Sequence, residues 1–297
     1  MSASSRWAFA ATVGVVSAML GVCVLGAFGL TACAGHESGS EAQWATGART
    51  APAASAATTS PGTGPRCAEP TAPAGWGPLR VAEDFDGTTL DTSKWSIYND
   101  PDGHVPRDPA RVTVAGGELR LTGGAGPDGK DVSGGISSNT NLMYAHADVC
   151  FRVDKGSGYS AIVLLWPQSE KWPEDGEIDI SEVNRGSRQS TNSFVHNHAN
   201  NDRLGHTTYA DFTQWHVMSV DWLPDHVTFY LDGRKQWTVG LDARTAPLHL
   251  VPTTSPMHLA IQFDQGCDKF VECRTKATPA KVVMHTDWVR IYAYKRS

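Results

Sequence analysis

Residues 145–153 read AHADVCFRV, in which apolar and polar side chains alternate at every second position. This alternation is typical of a half-buried β-strand, since successive side chains point to opposite faces of a sheet. Further strand patterns occur at 160–166, 215–222, 226–231, 236–239, 257–263 and 287–294. Asp232-Gly233 is a two-residue hairpin signal between two of them. With no helix-length amphipathic pattern, we predict an all-β antiparallel sandwich of two large sheets.

The composition supports this fold class and limits the partners. Among 297 residues, glycine occurs 29 times, proline 17 times and tryptophan 10 times, and only 19% are charged. Such a composition favours turn-rich β structure over a helical bundle. The net charge of −6 comes without any lysine or arginine cluster. We therefore expect no nucleic-acid partner, because phosphate binding needs a basic surface. Indole rings suit sugar rings, although most tryptophans belong to protein cores.

The N-terminus predicts export. Arg6 precedes an apolar run, Trp7 to Leu30, that is long enough to span a membrane as a helix. The following Leu30-Thr31-Ala32-Cys33 resembles a bacterial lipoprotein signal. It implies removal of a signal peptide, residues 1–32, and lipidation of Cys33, which would anchor the chain to the outer face of the bacterial cell membrane. An uncleaved signal anchor, or secretion, is the alternative. In each case the bulk of the chain lies outside the membrane.

The segment 33–66 is rich in alanine, serine, threonine, glycine and proline. It cannot bury enough apolar surface to offset the entropy of ordering it, so we predict a flexible tether. The folded domain is then residues 67–297, a size that is usual for a large β-sandwich. We expect this domain to act as a monomer.

The chain has six cysteines, at positions 23, 33, 67, 150, 267 and 273. Loss of Cys23 with the signal and lipidation of Cys33 leave four, an even number in an oxidising compartment. Three pairings of these four are possible. The short loop-like segment between Cys267 and Cys273 favours their pairing, which leaves Cys67–Cys150. Zinc binding is the competing interpretation, but no Cys-x-x-Cys motif or helical histidine pair lies nearby.

The segment 176–183, GEIDISEV, places three acids among apolar residues. In a strand, Glu177 and Asp179 share one face, while Ile178 and Ile180 share the other and face the core. Strict alternation would send Glu182 into the core as well, at a cost of several kcal/mol if unpaired. A β-bulge, one extra residue between Asp179 and Glu182, returns Glu182 to the face of the other acids.

Three carboxylates on one strip of sheet repel one another, which favours unequal protonation. Glycoside hydrolysis requires this, because one carboxylate attacks the anomeric carbon while another gives a proton to the leaving oxygen. Neighbours on one strand are consistent with the roughly 5–5.5 Å gap of retaining enzymes. The pattern alone also fits the solvated face of a sheet, or a calcium site.

The segment 177–182, EIDISE, resembles the signature of glycoside hydrolase family 16, the laminarinase- and lichenase-like β-glucanases. That signature is Glu, apolar, Asp, apolar, an optional residue, then Glu. Similar segments lie in order on both sides, at 85–87, 117–121, 227–233 and 287–292. The resemblance covers roughly residues 80 to 295. It implies a concanavalin A-like jelly-roll β-sandwich with a substrate cleft across its concave sheet.

The resemblance also implies catalytic roles. Glu177 matches the nucleophile, Glu182 the general acid/base and Asp179 the assisting acid. The implied reaction is double displacement through a glycosyl-enzyme intermediate, with no cofactor required.

Five further residues are candidates by their position. Trp172 is similar to the family's sugar-stacking tryptophan, and Trp166 lies close before it. His196 falls on the strand after the signature, and Gln262 is a polar side chain in an apolar strand; we expect all four to bind substrate. Asp287 matches a last-strand aspartate that binds structural calcium in some members of the family.

The resemblance predicts an endo-acting glycoside hydrolase whose partner is a polysaccharide. The form of the signature with the extra residue is common in laminarinase-like members, so β-1,3- or β-1,3/1,4-glucan is the expected substrate. Residues 262–273 depart from the family, because a cysteine-bounded loop stands where many members have a short Gly-Gly stretch. A transglycosylase of cell-wall glycan, a galactan-cleaving enzyme and a non-catalytic carbohydrate-binding jelly roll are the alternatives.

Overall fold

The computed structural model describes residues 66–68, 73–126 and 128–295, and strands make up nearly all of their regular structure. The strands are β1 (Leu79–Glu83), β2 (Trp95–Ile97), β3 (Val112–Val114), β4 (Leu119–Ala125), β5 (Asp131–Val132), β6 (Gly135–Ser138), β7 (Ala145–Val153), β8 (Tyr159–Pro167), β9 (Glu177–Val183), β10 (Ser190–Asn197), β11 (Asp202–Tyr209), β12 (His216–Trp222), β13 (Val227–Leu231), β14 (Arg234–Val239), β15 (Met257–Gln265) and β16 (Lys281–Ala293). Two short 3₁₀ helices, Pro109–Arg111 and Ala246–Leu248, complete the list.

The predicted signal peptide, residues 1–32, lies outside the described residues, as does the predicted tether, residues 33–66, except for Arg66. Within the described part of the chain, no helix has the length and apolar character needed to cross a membrane.

The strands form two antiparallel sheets. The nine-stranded sheet has the order β14-β13-β12-β7-β16-β4-β3, with β1 paired to β16 and β5 to β4, and the seven-stranded sheet has the order β11-β10-β9-β8-β15-β6-β2. Apolar side chains from both sheets, such as Phe151 and Val220 from one and Val163 and Ile178 from the other, belong to a single buried cluster. The predicted all-β sandwich of two large antiparallel sheets is therefore confirmed.

Each strand pattern identified in the sequence coincides with a strand of the structure. The pattern at 145–153 coincides with β7, and the one at 257–263 lies within β15. Asp232 and Gly233 form the two-residue hairpin turn between β13 and β14, with φ values of 49° and 73°, the left-handed pair that such a turn requires. The last strand is longer than its pattern, because β16 begins at Lys281.

The polar side of β7 differs from the prediction. Alternation predicted a half-buried strand, yet all nine residues of β7 are buried, including His146, Asp148 and Arg152. Aromatic rings cover this side: the ring of Trp76 lies 5.5 Å from that of His146, and Trp215 lies 5.2 Å from the guanidinium carbon of Arg152. The strand is central in its sheet, so its polar side chains pair with neighbours beneath this cover instead of facing solvent.

Two disulfides fasten the fold, and they are the two pairings favoured from the sequence. Cys67–Cys150 joins the first described segment to β7 across a sequence separation of 83 residues. Chain-entropy arguments give a loop of this length roughly 4–5 kcal/mol of stabilisation. Cys267–Cys273 closes a small loop directly after β15.

Candidate active site

The acid-bearing strand β9 contains a bulge. Asp179 pairs with Leu164 of β8 and Glu182 pairs with Ile162, but Ile180 has no partner on β8. Leu164 and Ile162 are two residues apart and share a face of the sheet, so Asp179 and Glu182 share that face as well. The predicted bulge is confirmed, and the residue that β8 leaves unpaired is Ile180.

The other neighbour of β9 shows the same irregularity. Three steps along β9, from Asp179 to Glu182, match two steps along β10, from Phe194 to Asn192. Ile178 is fully buried in the core. The bulge thus keeps the apolar side chains of β9 inward while all three acids lie on the opposite face, which we call the acid face.

Two tryptophans flank the first acid. Trp172 Nε1 donates a hydrogen bond of 2.7 Å to Glu177 Oε2. The rings of Trp166 and Trp172 are stacked, with centroids 6.4 Å apart and planes 13° from parallel, and Trp166 Nε1 donates to Glu170 Oε2 at 2.9 Å. The structure therefore brings both predicted tryptophans to the acid face, where they make an aromatic platform beside Glu177.

His196 lies directly across from Glu177 on β10. Its Nε2 is 3.4 Å from Asp179 Oδ2, and its Nδ1 is 2.7 Å from Asn201 Oδ1. Burial lowers the pKa of His196, so the ring is neutral at pH 7. The amide oxygen of Asn201 is only an acceptor, which assigns the ring proton to Nδ1 and leaves Nε2 unprotonated beside Asp179.

Burial raises the pKa of all three acids. The pKa of Glu177 rises to about 7 and that of Glu182 to about 8. The pKa of Asp179 rises well above its usual range, first through burial and then through the charges of Glu177 and Glu182. Among the described residues, no lysine or arginine forms an ion pair with any of them. The group therefore retains protons at neutral pH, and Glu177, which accepts the Trp172 hydrogen bond, ionises more readily than Glu182.

Glu177, Asp179 and His196 also offer ligand atoms within 4.8 Å of one another, a set that could hold a metal ion. Two of these groups already have other partners, however. Trp172 donates to Glu177 Oε2, and His196 Nδ1 bonds to Asn201. Because burial also favours the protonated acids, we interpret the set as a proton-sharing group.

The acid face continues across β8 onto β15. Gln262 pairs with Ile162, the partner of Glu182, so its side chain is on the acid face about 10 Å from Glu182 at two strand spacings. His258 lies further along the same side of β15, and the sequence analysis missed it. Burial lowers the pKa of His258 to about 4. The alternation that marked Gln262 would also have marked His258, four residues earlier.

His258 also lines an open pocket of about 280 Å³. The other lining residues are all polar: Ser96, Ser137, Ser138, Asn139, Asn141, Gln168 and Glu170. Glu170 is the acceptor of the Trp166 indole N–H. The pocket therefore joins the aromatic platform on the side away from β10, and its amides and hydroxyls match the hydroxyls of a sugar.

Asp287 lies on β16 of the other sheet, away from the acids, and its carboxylate already has a cation. Arg66 Nη1 donates to Asp287 Oδ1 at 2.6 Å and to Gly117 O at 2.7 Å, and Arg66 Nη2 donates to Gly116 O at 2.6 Å. One carboxylate and two carbonyls are the oxygen ligands that calcium prefers. The guanidinium engages all three, so the residues present do not fit a calcium ion at Asp287. The sequence analysis had assigned Arg66 to the tether and missed this role.

A β-sandwich whose acid face carries three clustered carboxyl groups with raised pKa values beside stacked tryptophans has the features of a glycoside hydrolase. The model of Glycosyl hydrolases family 16 matches residues 92–290, and the chain belongs to this family of glycoside hydrolases.

Relatives agree with this assignment. A Glucan endo-1,3-beta-glucosidase A1 from Niallia circulans is 29% identical in a match 263 positions long, and the match covers 71% of this chain and 37% of the relative. A Beta-glucanase from Acetivibrio thermocellus is 27% identical over 53% of this chain and 47% of its own length. The chain thus spans about half the length, or less, of these two curated relatives.

A solved structure has the same fold. The catalytic domain of an endo-1,3-beta-glucanase (laminarinase) from Thermotoga petrophila RKU-1 superposes with a TM-score of 0.65 at 20% identity, covering 74% of this chain and 99% of that domain. At this identity the likeness concerns the fold, and it supports the predicted jelly-roll type.

Proposed function

We propose that the chain is a retaining endo-β-glucanase that hydrolyses β-1,3- or β-1,3/1,4-linked glucan by double displacement. The observation that carries the proposal is the set of three acids on β9, of which Asp179 is buried and Glu177 and Glu182 are half-buried, without a lysine or arginine partner among the described residues. Glucan-hydrolysing relatives support the substrate class. A structural neighbour from Zobellia galactanivorans was solved in complex with laminaritriose and laminaritetraose.

The proposed first step is attack by Glu177 on the anomeric carbon. The carboxylate forms a glycosyl-enzyme bond while Glu182 gives its proton to the departing glycosidic oxygen. The Trp172 N–H holds Oε2 of Glu177 in place. Asp179, kept protonated, donates its one hydrogen bond to Glu177 and so stabilises the charge on the nucleophile.

The second step reverses the roles of the groups. Glu182, now ionised, takes a proton from a water molecule, whose oxygen attacks the anomeric carbon and releases Glu177. A raised pKa suits Glu182 to both roles, since a group that titrates near neutral pH gives and regains a proton with little driving force lost.

The surroundings of the acids support a glucan rather than a small substrate. The rings of Trp166 and Trp172 offer an apolar platform for sugar faces. The pocket at His258 adds polar partners beyond them. Together they extend the acid face well past the reacting bond, as an endo-acting enzyme needs.

A panel of β-1,3-glucan, β-1,3/1,4-glucan, β-1,4-glucan and galactan tests the substrate class. We expect internal cleavage of the first two, with products released as the β-anomer in early ¹H NMR spectra. Release of the α-anomer would contradict double displacement. Cleavage of galactan alone, elongated products with added acceptor, or binding without cleavage would replace the proposal by one of its three alternatives.

We also propose that the enzyme is exported and held at the outer face of the cell membrane by a lipid on Cys33, with the domain acting as a monomer. The apolar N-terminal run and its terminal cysteine support this placement. Labelling of cells with a lipid precursor should mark the wild type and spare Cys33→Ala; equal labelling would exclude the anchor. Light scattering on the domain from Arg66 onward should give the monomer mass.

A further inference from the structure

The disulfide loop after β15 presents an exposed aromatic ring. Phe270 lies between Cys267 and Cys273 and is 38% exposed. The guanidinium carbon of Arg203 lies 5.5 Å from the centroid of the Phe270 ring and 5.8 Å from that of Phe194. The guanidinium thus links two rings from separate parts of the chain. We call Arg203, Phe194 and Phe270 together the Arg203 clamp.

The clamp lies beside the acids. Phe194 is the cross-strand neighbour of Asp179, and Arg203 is the neighbour of His196 on the far side of β10. The ring of Phe194 extends over Gly205 of β11, where an added Cβ would come within 2.3 Å of a ring atom. The glycine therefore allows the ring to lie across the edge strand and reach Arg203.

The loop that carries Phe270 is held in one shape. Gly186 N donates to Glu272 Oε2 at 2.8 Å, and Gly158 N donates to Glu272 O at 2.6 Å. Within the loop, Asp268 Oδ1 accepts from the backbone N of Phe270 at 2.7 Å. With the disulfide at its base, the loop presents Phe270 already ordered, which reduces the entropy lost on binding a ligand.

The chemistry of the clamp matches a sugar ring. The Phe270 ring has Lys269 Nζ 4.8 Å from its centroid as well as Arg203, and its exposed carbons can contact the C–H groups of a pyranose. The Arg203 guanidinium is exposed and has no hydrogen-bond acceptor or ion-pair partner among the residues that the structure describes. Its N–H donors therefore remain available for hydroxyl oxygens next to the aromatic face.

We propose that the Arg203 clamp binds the sugar residue that leaves during the first step, on the Glu182 side of the cleaved bond. The clamp would thereby set the preference of the enzyme for chains that extend past that bond. This inference rests on the proposed function. The aromatic platform of Trp166 and Trp172 then holds the sugars on the side of the nucleophile.

The electrostatics agree with this side of the cleft. Burial is the main cause of the raised pKa of Glu182, and the charges of Glu177 and Asp264 raise it further; the charge of Arg203 then lowers it and that of Asp268, in the disulfide loop, raises it. The charge of Arg203 also lowers the pKa of Asp179 and of His196. Burial is also the main cause of the raised pKa of Glu177, which the Trp172 hydrogen bond lowers and the charge of Asp264 raises. The clamp and its loop thus act on the proposed acid/base.

Two variants, Arg203→Met and Phe270→Ala, test the clamp on two substrates. One is β-1,3-glucan, and the other is a 4-nitrophenyl β-1,3-gluco-oligosaccharide, whose leaving group is a phenolate instead of a sugar. We expect kcat/KM on the glucan to fall about 10- to 100-fold, the range for losing one good contact set. On the aryl substrate, kcat/KM should change less than about twofold, because no leaving sugar is bound and little acid assistance is needed.

Matched controls are Arg80→Met and Leu241→Ala, which remove an exposed arginine and an exposed apolar side chain elsewhere. Both control variants should keep the wild-type kcat/KM on the two substrates. Arg203→Met should also move the alkaline limb of the pH profile on glucan to higher pH, whereas Phe270→Ala should not. Parallel losses on both substrates, or none on glucan, would overturn the clamp. A wild type that cleaves neither substrate would instead overturn the proposed function, and the clamp with it.

Discussion

The acids of the nine-stranded sheet and those of the acid face have opposite surroundings. Burial alone would raise the pKa of Glu118, but the hydrogen bonds that it accepts from His285 and Arg120 lower it to about 2. On the acid face, Glu182 is half-buried without such a partner among the described residues, and its pKa rises to about 8.

The histidines His146 on β7 and His196 on β10 show the same contrast between the two sheets. His146 Nδ1 is 2.6 Å from Asp221 Oδ1 and its Nε2 is 2.9 Å from Asp148 Oδ2. Burial lowers the pKa of His146, yet the two carboxylates raise it to about 9. His196 at the acid face is buried beside an amide and a protonated acid, and its pKa is lowered.

The difference separates stability from chemistry. Buried charges on the nine-stranded sheet are paired, so they hold the sandwich together. The acid face keeps its charges unpaired, which lowers stability and leaves protons available to a substrate. Active sites commonly carry such a stability cost.

Glu177→Gln should give the largest effect that this comparison predicts. Removing the nucleophile should lower kcat at least about 10³-fold, as loss of a covalent catalyst does in other hydrolases. Asp148→Asn, a matched change in a buried acid of the other sheet, should keep kcat and lower the melting temperature instead. Full glucan cleavage by Glu177→Gln would show that the acid face is not the catalytic surface.

The pH profile should follow the raised pKa values of the acid face. Glu177 must be ionised and Glu182 protonated, so kcat/KM should be highest near pH 7–8. Activity should fall about tenfold per pH unit beyond either limb. Initial rates on β-1,3-glucan between pH 4 and 10 measure this. An optimum near pH 5 would mean that the acids titrate as ordinary exposed carboxyls.

His146→Gln should be the most damaging of the stability variants, because it leaves Asp148 and Asp221 buried without their cation. Breaking a buried pair costs about 3–5 kcal/mol, which corresponds to roughly 6–20 °C in melting temperature at this size. The pKa of His146 is raised from 6.5 to about 9. The stabilisation that protonated His146 gives to the folded state is therefore complete below pH 6.5 and disappears as the pH rises through 9. In thermal melts, the melting temperatures of the wild type and the variant should differ strongly at pH 6 and only slightly at pH 10.

Glu182→Gln should stabilise the protein, in contrast to His146→Gln, because it removes a charge that no neighbouring group compensates. A carboxyl whose pKa rises from 4.5 to about 8 on folding penalises the folded state increasingly between those pH values. We expect a gain of roughly 1–2 kcal/mol at pH 8, discounted for the open cleft, and none at pH 4. A lower melting temperature of the variant at pH 8 would contradict the contrast between the acid face and the paired charges of the nine-stranded sheet.

Arg66→Ala should give the smallest effect. Addition of EDTA or millimolar calcium should leave the melting temperature of the wild type unchanged, because the guanidinium already occupies the oxygens of Asp287, Gly116 and Gly117. The variant should melt a few degrees lower and recover part of the loss with calcium but not with sodium. Sensitivity of the wild type to EDTA would show that a metal, and not Arg66, neutralises Asp287.

Much of this site was accessible from the sequence. Two-residue periodicity, with the cost of burying Glu182, was enough to predict the bulge in β9. The same rule failed for β7, because periodicity reports which residues share a face and not what covers that face. Trp76 and Trp215, which lie far from β7 in the sequence, bury its polar side.

The clamp residues gave no comparable signal. The β11 segment, DRLGHTTY, is mostly polar and contains a glycine, so no strand was predicted for Arg203. Phe270 resembled any loop residue, since its meeting with Arg203 depends on how a disulfide loop folds back onto an edge strand. Contacts between side chains from separate loops and strands require the tertiary structure.

The Cys67–Cys150 bridge also determines how the domain meets mechanical force. A pull on the chain before Cys67 passes through a covalent bond into β7, which lies between β12 and β16 in the nine-stranded sheet. The segment between the two cysteines, which are 83 positions apart in sequence, includes the peripheral β1 and is spared that tension. In a domain that is anchored by its N-terminus and bound to a polysaccharide, tension would therefore act on a central strand, and the outer strands would not be pulled from the sheet.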